Sequence, residues 1–494
     1  MNIIMKKYIN IKYLSLICFL ALSASSCKKD LLNAIPQTSV TDVTAFATPD
    51  RILSQVRSLY AGLKNGNFYG GRYIVYGDIR GEDFINETTN LVTGSDVWNL
   101  NPANSSQNSV KNLWAQAYFT VNICNLFIDG MAEKGTAIVG TSLSNNYVGE
   151  ARLIRALSYY SLLQLYARPF ADGNGAKPGL PLRLVGIKAS GSSNLARSTV
   201  AEVYAQVLAD LNFAEANLPL TNGTAILNTT RAHRNTAIAL KTRVYLTMQN
   251  YAAVITEANK IVSVTAPFTS ITGVAHALSP SIAAVFLPPY TTNESIFSMP
   301  MSTTAGDNPG TQNQLGYYFV QNGSSLGNAE FSLNPAAIIA NTGWKAIDAR
   351  RTALIFTNAT TSKKYLAKYK VGNPYTDFVP VIRYAEVLLN LAEALARTSA
   401  TPDFRALALL NAVRQRSDQS TTLVAATQAD LIDAILLERR IEFLGEGMRN
   451  NDLLRLLQTI PAKGSVPSKS PSEQGYIWPI SSDELSLNAL MTDN

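Results

Sequence analysis

Apolar side chains recur every three or four residues over most of this chain, and the recurrence fails in two places. In "VIRYAEVLLNLAEALAR", residues 381–397, Ile382, Ala385, Leu389, Ala392 and Ala396 share one helical face, while Glu386, Asn390, Glu393 and Arg397 share another. That pattern predicts a helix with one buried face and one that is wet or ion-paired. The same period predicts helices over 50–64, 110–134, 146–167, 198–217, 231–248, 250–263, 403–417 and 428–444, with a shorter one near 449–458. It is lost over 65–108, rich in Gly, Asn, Thr and Ser, and over 266–380, rich in Pro, Thr, Asn and Gly. Within the second stretch "SIFSMPM" and "KYLAKYKV" read as short strands. The tail "YIWPISSDELSLN" reads as extended until its end.

Several helices come as pairs with short links: 231–248 with 250–263, and 381–397 with 403–417. Paired, Ala- and Leu-rich helices with a period of about 34 residues resemble tetratricopeptide hairpins. Such units stack, bury a shared core and leave an extended surface for partners.

Composition fits a large core. Of 494 residues, 47% are hydrophobic and 16% charged, which argues against a mostly disordered chain. Net charge is +7, but Lys6, Lys7 and Lys12 precede Cys27 in a segment with no acid. Removing those three from 42 basic side chains leaves 39 against 35 acidic, a surplus of 4 over the remainder. With no dense Lys/Arg tract, that surplus does not describe a nucleic-acid binder. Three cysteines, Cys18, Cys27 and Cys124, make neither a disulfide framework nor a thiolate metal site, and Cys124 reads as a small core residue on a helix.

The N-terminal 26 residues have the layout of a secretory signal peptide: the basic part, then the apolar "YLSLICFLAL" at 13–22, then the small "SASS" at 23–26. The apolar part is short for a membrane span, which takes about 20 residues. Cys27 follows directly. A cysteine placed there resembles a bacterial lipobox, where the thiol is lipidated and becomes the new N-terminus. Ala24 departs from the pattern, in which leucine is commonest, and so does Ser26, where Gly or Ala is usual. An ordinary secretory signal with a chance cysteine is the alternative.

Six blocks in order along the chain resemble the SusD/RagB family of outer-membrane nutrient-binding lipoproteins. They are "EARLIRALSYYSLLQLYARPF" at 150–170, "VYAQVLADLNFAEANLP" at 203–219, "VIRYAEVLLNLAEAL" at 381–395, "LLNAVRQRS" at 409–417, "LLERRIEFLGEGMRNNDLLR" at 436–455 and the closing "WPISSDEL". "CKKD" at the lipobox resembles the signal that sends such lipoproteins to the cell surface. The resemblance implies a mostly α fold: a tetratricopeptide-like helix-hairpin scaffold with an irregular, loop-rich ligand-binding lobe containing a few short strands. It divides the chain into a signal peptide, 1–26, and one domain, 27–494. It implies no catalytic activity. It also implies an oligosaccharide ligand, or in some relatives a peptide. Cys27 would anchor the protein to outer-membrane lipid at the cell surface, and a SusC-type TonB-dependent outer-membrane barrel would be its partner.

Sugar recognition needs flat aromatic faces and a few planar hydrogen-bonding groups. Residues 65–105 hold both. Trp98 stands among polar residues outside any helical period and is the stacking candidate; Asn101, Asp78 and Arg80 are candidate polar readers. The long insert adds Tyr290, Tyr317, Tyr318 and Trp344. Each of these aromatics has an alternative role in packing the irregular lobe. Trp114 beside Tyr118 on a helix, and Trp478 beside Pro479, read as core.

Glu438, Glu442 and Glu446, spaced four apart, suggest three carboxylates on one helical face, with Arg439, Arg440 and Arg449 nearby. Ion pairing that ties the scaffold together is the expected role. His233 and His276 are too few and too far apart for a zinc motif, and no G-x-S-x-G or Walker sequence is present. Asp78, Glu82 and Asp83 are the carboxylates from which a glycoside-cleaving pair would have to come. No cofactor is implied, and nothing in the sequence speaks for or against a bound Ca²⁺.

Overall fold

The computed structural model describes residues 44–494 except 190, 192–193, 305, 311 and 321–327; Cys27 and the leader before it lie outside the described residues. Eleven helices carry the architecture. They are α1 (Pro49–Leu63), α2 (Arg72–Ile79), α3 (Asn112–Gly130), α4 (Thr141–Tyr166), α5 (Val200–Asn217) and α6 (Arg234–Thr247). The remainder are α7 (Tyr251–Ala258), α8 (Tyr384–Thr398), α9 (Phe404–Ser417), α10 (Gln428–Glu442) and α11 (Arg449–Arg455).

Their starts are written locally. Thr48 accepts from the amide of Arg51 at 3.3 Å, with Pro49 opening α1. Thr199 with Glu202 and Thr427 with Asp430 form reciprocal caps on α5 and α10. Packing then runs along the chain. Helix α1 lies on α3, α3 on α4, α4 on α5, α5 on α6, α6 on α7, α7 on α8, and α8 on both α9 and α10. This nearest-neighbour stacking is the tetratricopeptide-like scaffold the sequence predicts. Cys124 is fully buried in α3, and Trp114 packs on Tyr118 with ring centroids 4.8 Å apart.

The polar face predicted on α8 is ion-paired rather than wet. Glu386 receives the Arg243 guanidinium at 2.6 Å, Glu393 receives Arg455 at 2.7 Å, and Asn390 accepts from Arg439 at 2.6 Å. All three acceptors are buried.

Three departures from the predicted elements have physical causes. Residues 65–108 contain α2, whose eight residues "RYIVYGDI" are all buried. A helix enclosed on every side has no polar face, so its period is invisible. Helix α8 begins at Tyr384, not 381, because Val379–Arg383 is a strand (β6) held by Ser295–Met299 (β2). Helix α7 stops at Ala258, and the apolar Ile261 and Val262 that extended its pattern are buried just beyond it.

The loop-rich stretches are stitched by two further antiparallel pairs. Phe84–Asn86 (β1) pairs with Phe331–Leu333 (β3), and Ile355–Thr357 (β4) pairs with Lys364–Leu366 (β5). The first of these joins the early stretch to the long insert, and so places the two irregular regions side by side.

Candidate functional site

The junction between the two irregular regions is unusually close. A Cβ on Gly71 would lie 1.7 Å from the carbonyl oxygen of Asn313, so only glycine fits there. The "YGGR" turn can therefore seat the insert directly on the start of α2.

A cleft of about 640 Å³ opens along this junction, lined by Asn67, Arg72, Val92, Asn108 and Asn112 on one side and by Gly310, Gln312, Asn313 and Tyr317 on the other. Its walls are held from beneath. The Asn108 carbonyl accepts from Arg72 Nη1 at 2.6 Å and from the Tyr76 hydroxyl at 2.8 Å. The Gln312 carbonyl accepts from the buried Tyr318 hydroxyl at 2.7 Å. The side-chain amides of Asn67 and Asn108 make no hydrogen bond within the described residues. Tyr317 is half-buried and braced edge-on by Tyr318 and Tyr375, each with its centroid 6.0 Å away. A fixed aromatic ring beside several free amides is the chemistry that reads a polyhydroxylated ring.

The residues nominated from sequence are distributed differently. Trp98 is 7% exposed and donates its indole N–H to the Phe84 carbonyl at 2.8 Å, while Lys463 Nζ sits 5.6 Å from its ring. Arg80 is buried and bonds Asn450 Oδ1 at 2.8 Å and the Tyr476 carbonyl at 2.6 Å. Asp78 is buried and accepts from the Gly447 amide at 2.7 Å; burial raises its carboxyl to about 8. Tyr290 stacks on Phe378 at 4.6 Å and donates to Asp377 at 3.1 Å. Trp344 is buried under the Arg351 guanidinium, 4.9 Å from its ring. Of the two nominated tyrosines that follow one another, Tyr317 lines the cleft and Tyr318 supports it from inside. Asn101 is exposed but does not line the cleft.

These placements correct the surface roles expected of Asp78, Arg80, Trp98, Tyr290 and Trp344. Asp78, Arg80, Trp98 and Tyr290 pack against or bond to segments far away in sequence, which no local pattern reveals, while Trp344 is covered by Arg351, seven positions on. The helical and aromatic patterns do not single out the amides of Asn67, Asn108, Asn112, Gln312 and Asn313, although the Asn-rich "NGNFYGG", "NPANSSQNSVKN" and "TQNQLGYYF" carry the signal.

The carboxylates weighed for glycoside cleavage are engaged inside the fold. Burial alone would raise the Glu82 carboxyl, but Arg449 and Arg440 bring it below its usual range. Asp83 takes Arg440 at 2.9 Å. Among the described residues no group of three or more His, Cys, Asp or Glu side chains is placed to hold a metal ion.

The three spaced glutamates do pair, but with other cations than their sequence neighbours. Helix α10 ends at Glu442, so Glu446 reaches in from the turn beyond. Glu438 bonds Arg350 at 2.5 Å and Arg414 at 2.6 Å. Glu442 bonds Arg350 at 2.9 Å and Arg416 at 2.5 Å, and Glu446 bonds Arg383 at 2.7 Å and Lys368 at 2.6 Å. Arg350 and Lys368 belong to the insert, so this buried lattice bolts the insert to the scaffold.

Comparison with known proteins matches residues 336–494 to a family described as the SusD family, and residues 35–246 to one described as starch-binding and associating with the outer membrane. A crystal structure of a SusD superfamily protein from Bacteroides fragilis superposes with a TM-score of 0.78 at 30% identity, covering 90% of this chain and 99% of that one. The chain belongs to the SusD family.

Two further proteins are similar at lower identity. SusD-like protein P2 of Formosa agariphila is 24% identical over 501 residues, covering 91% of this chain and 92% of that protein. Surface glycan-binding protein A of Bacteroides uniformis shares the fold with a TM-score of 0.71 at 20% identity, over 90% of this chain and 99% of its own. No helix among the described residues of this SusD-family chain is long and apolar enough to cross a membrane.

Proposed function

We propose that this protein is a cell-surface lipoprotein, acylated at Cys27, that captures an oligosaccharide in the Tyr317 cleft and delivers it to a SusC-type TonB-dependent outer-membrane barrel. The observation that carries this reading is the cleft itself: unpaired Asn67 and Asn108 amides facing a braced Tyr317 ring. Family membership supports it, since the matched description names starch binding and outer-membrane association. The anchor follows from the position of Cys27 after a signal-like leader. Several acyl chains on one residue, at about 0.8 kcal/mol per buried CH₂, hold a protein to a bilayer stably. Handover to a barrel is the step that would make capture useful to the cell.

Calorimetry with a panel of oligosaccharides and peptides tests the ligand. Binding of a glycan that weakens at least tenfold in Tyr317→Ala is the expected result. Binding of peptides alone, or release of reducing ends by the purified protein, would overturn it. Co-purification of a large outer-membrane barrel from native membranes tests the handover.

A further inference from the structure

Beside the Tyr317 cleft lies a second pocket of about 580 Å³. Asn67 and Asn313 line both, so the two adjoin. A sugar next to one seated on Tyr317 would therefore lie beside the second pocket. This inference rests on the glycan-binding reading above and concerns which glycans are accepted.

The second pocket has a different chemistry. Its floor is one face of α1: Arg57, Tyr60, Ala61 and Lys64 fall at helical spacings of three and four. Arg231 closes the far side. Three cations therefore converge, against two carboxylates. Glu150 holds Arg231, with contacts of 3.1 and 2.5 Å, and also receives the Tyr60 hydroxyl. Asp307 pairs with Lys64 from the opposite wall, where its side chain is 47% exposed. Arg57 is exposed, and its guanidinium has no hydrogen bond or carboxylate partner among the described residues. The pocket thus keeps one uncompensated positive charge on a planar group suited to gripping a pair of oxygens.

We infer that this pocket is an oxyanion subsite, taking the carboxylate of a uronic acid or the sulfate ester of a sugar adjacent to the one on Tyr317. Arg57 supplies the direct contact. Arg231 and Lys64 are already neutralised by Glu150 and Asp307, so the charge balance admits one oxyanion. The consequence is selectivity for acidic over neutral glycans of the same backbone. A charge-assisted hydrogen bond of this kind corresponds to about tenfold in affinity.

The test is calorimetry on the purified full-length protein with matched pairs. These are oligogalacturonate against its methyl ester, glucuronoxylan oligosaccharides against plain xylo-oligosaccharides, and sulfated against unsulfated galactan oligosaccharides. In any pair that binds, the acidic member should bind about tenfold more tightly and weaken as salt rises, while the neutral member does not respond to salt. In Arg57→Gln, which removes charge from an exposed helical position without disturbing a partner, that preference should vanish and neutral binding should persist. The uronate and sulfate pairs distinguish the two sources of the oxyanion. Equal binding within every pair, or a preference unchanged in Arg57→Gln, overturns the subsite and leaves the Tyr317 cleft standing. Failure of every oligosaccharide to bind overturns the glycan reading and the subsite with it.

Discussion

The carbonyl of Asn313 sits 1.7 Å from where a Cβ on Gly71 would be, although 242 positions separate the two residues. The wall of the cleft depends on that approach. In Gly71→Ala one backbone must retreat, since the atom met is a main-chain oxygen and not the end of a flexible side chain. Overpacking of this sort costs about 1–3 kcal/mol. A lowered urea midpoint, together with loss of oligosaccharide affinity, is the expected outcome, and unfolding curves paired with calorimetry check it.

Trp98 and Tyr317 should separate cleanly. Trp98→Phe keeps an aromatic ring but leaves the Phe84 carbonyl without its indole donor. A loss of about 1–3 kcal/mol in stability is expected for an unsatisfied buried acceptor, with ligand affinity little changed. Tyr317→Ala, at a half-buried ring, should do the reverse. Measuring unfolding free energy and Kd on the same two variants decides it.

Arg383 stands at the centre of the buried lattice, bonded to Glu294, to Glu442 at 3.1 Å and to Glu446 at 2.7 Å. Replacing it with Met takes one cation from each of three carboxylates, leaving Glu294 on Arg416, Glu442 on Arg350 and Arg416, and Glu446 on Lys368. Removing one partner from a buried ion pair costs about 3–5 kcal/mol. Because Glu294 belongs to the insert, limited proteolysis should cut first within 266–380 in Arg383→Met and not in the parent.

Asp78 gives a pH signature. Its carboxyl titrates near 8 in the folded chain, raised by burial, against about 3.9 when unfolded. Between those values the folded state holds a proton that the unfolded state has released. Stability therefore falls as pH rises from about 4 to about 8. Asp78→Asn keeps an oxygen for the Gly447 amide and cannot ionise. The stability difference, variant minus parent, should grow more positive across that window and level off above pH 8. Thermal melts at pH 5, 7 and 9 read it directly.

How much of this was legible depended on where the information lay. Helices with one wet or ion-paired face, such as α8 and α10, announced themselves through their period, because local spacing decides which side chains share a face. Helix α2 did not, since its surroundings enclose all eight of its residues. The spaced glutamates were legible as structural, but not their partners: Arg350, Lys368 and Arg383 arrive from elsewhere in the chain. Trp98 shows the same limit. A tryptophan among polar residues reads as exposed, yet Lys463 and Gly464 cover it from 365 positions away or more. The family resemblance reached the scaffold because the scaffold's motifs are contiguous. The cleft is assembled from short pieces of two regions, so it became visible only when they were brought together.

Lys463 donates to the carbonyls of Ile79, of Arg80 at 2.9 Å and of Gly81 at 2.8 Å, closing the end of α2 with a residue nearly four hundred positions later. Those carbonyls have no helical partner of their own. During synthesis the early helix must therefore wait, its last turn open, until almost the whole chain has been made. The contact that completes one of the first helices is thus among the last the chain can make, which ties the closing of the early stretch to the arrival of Lys463.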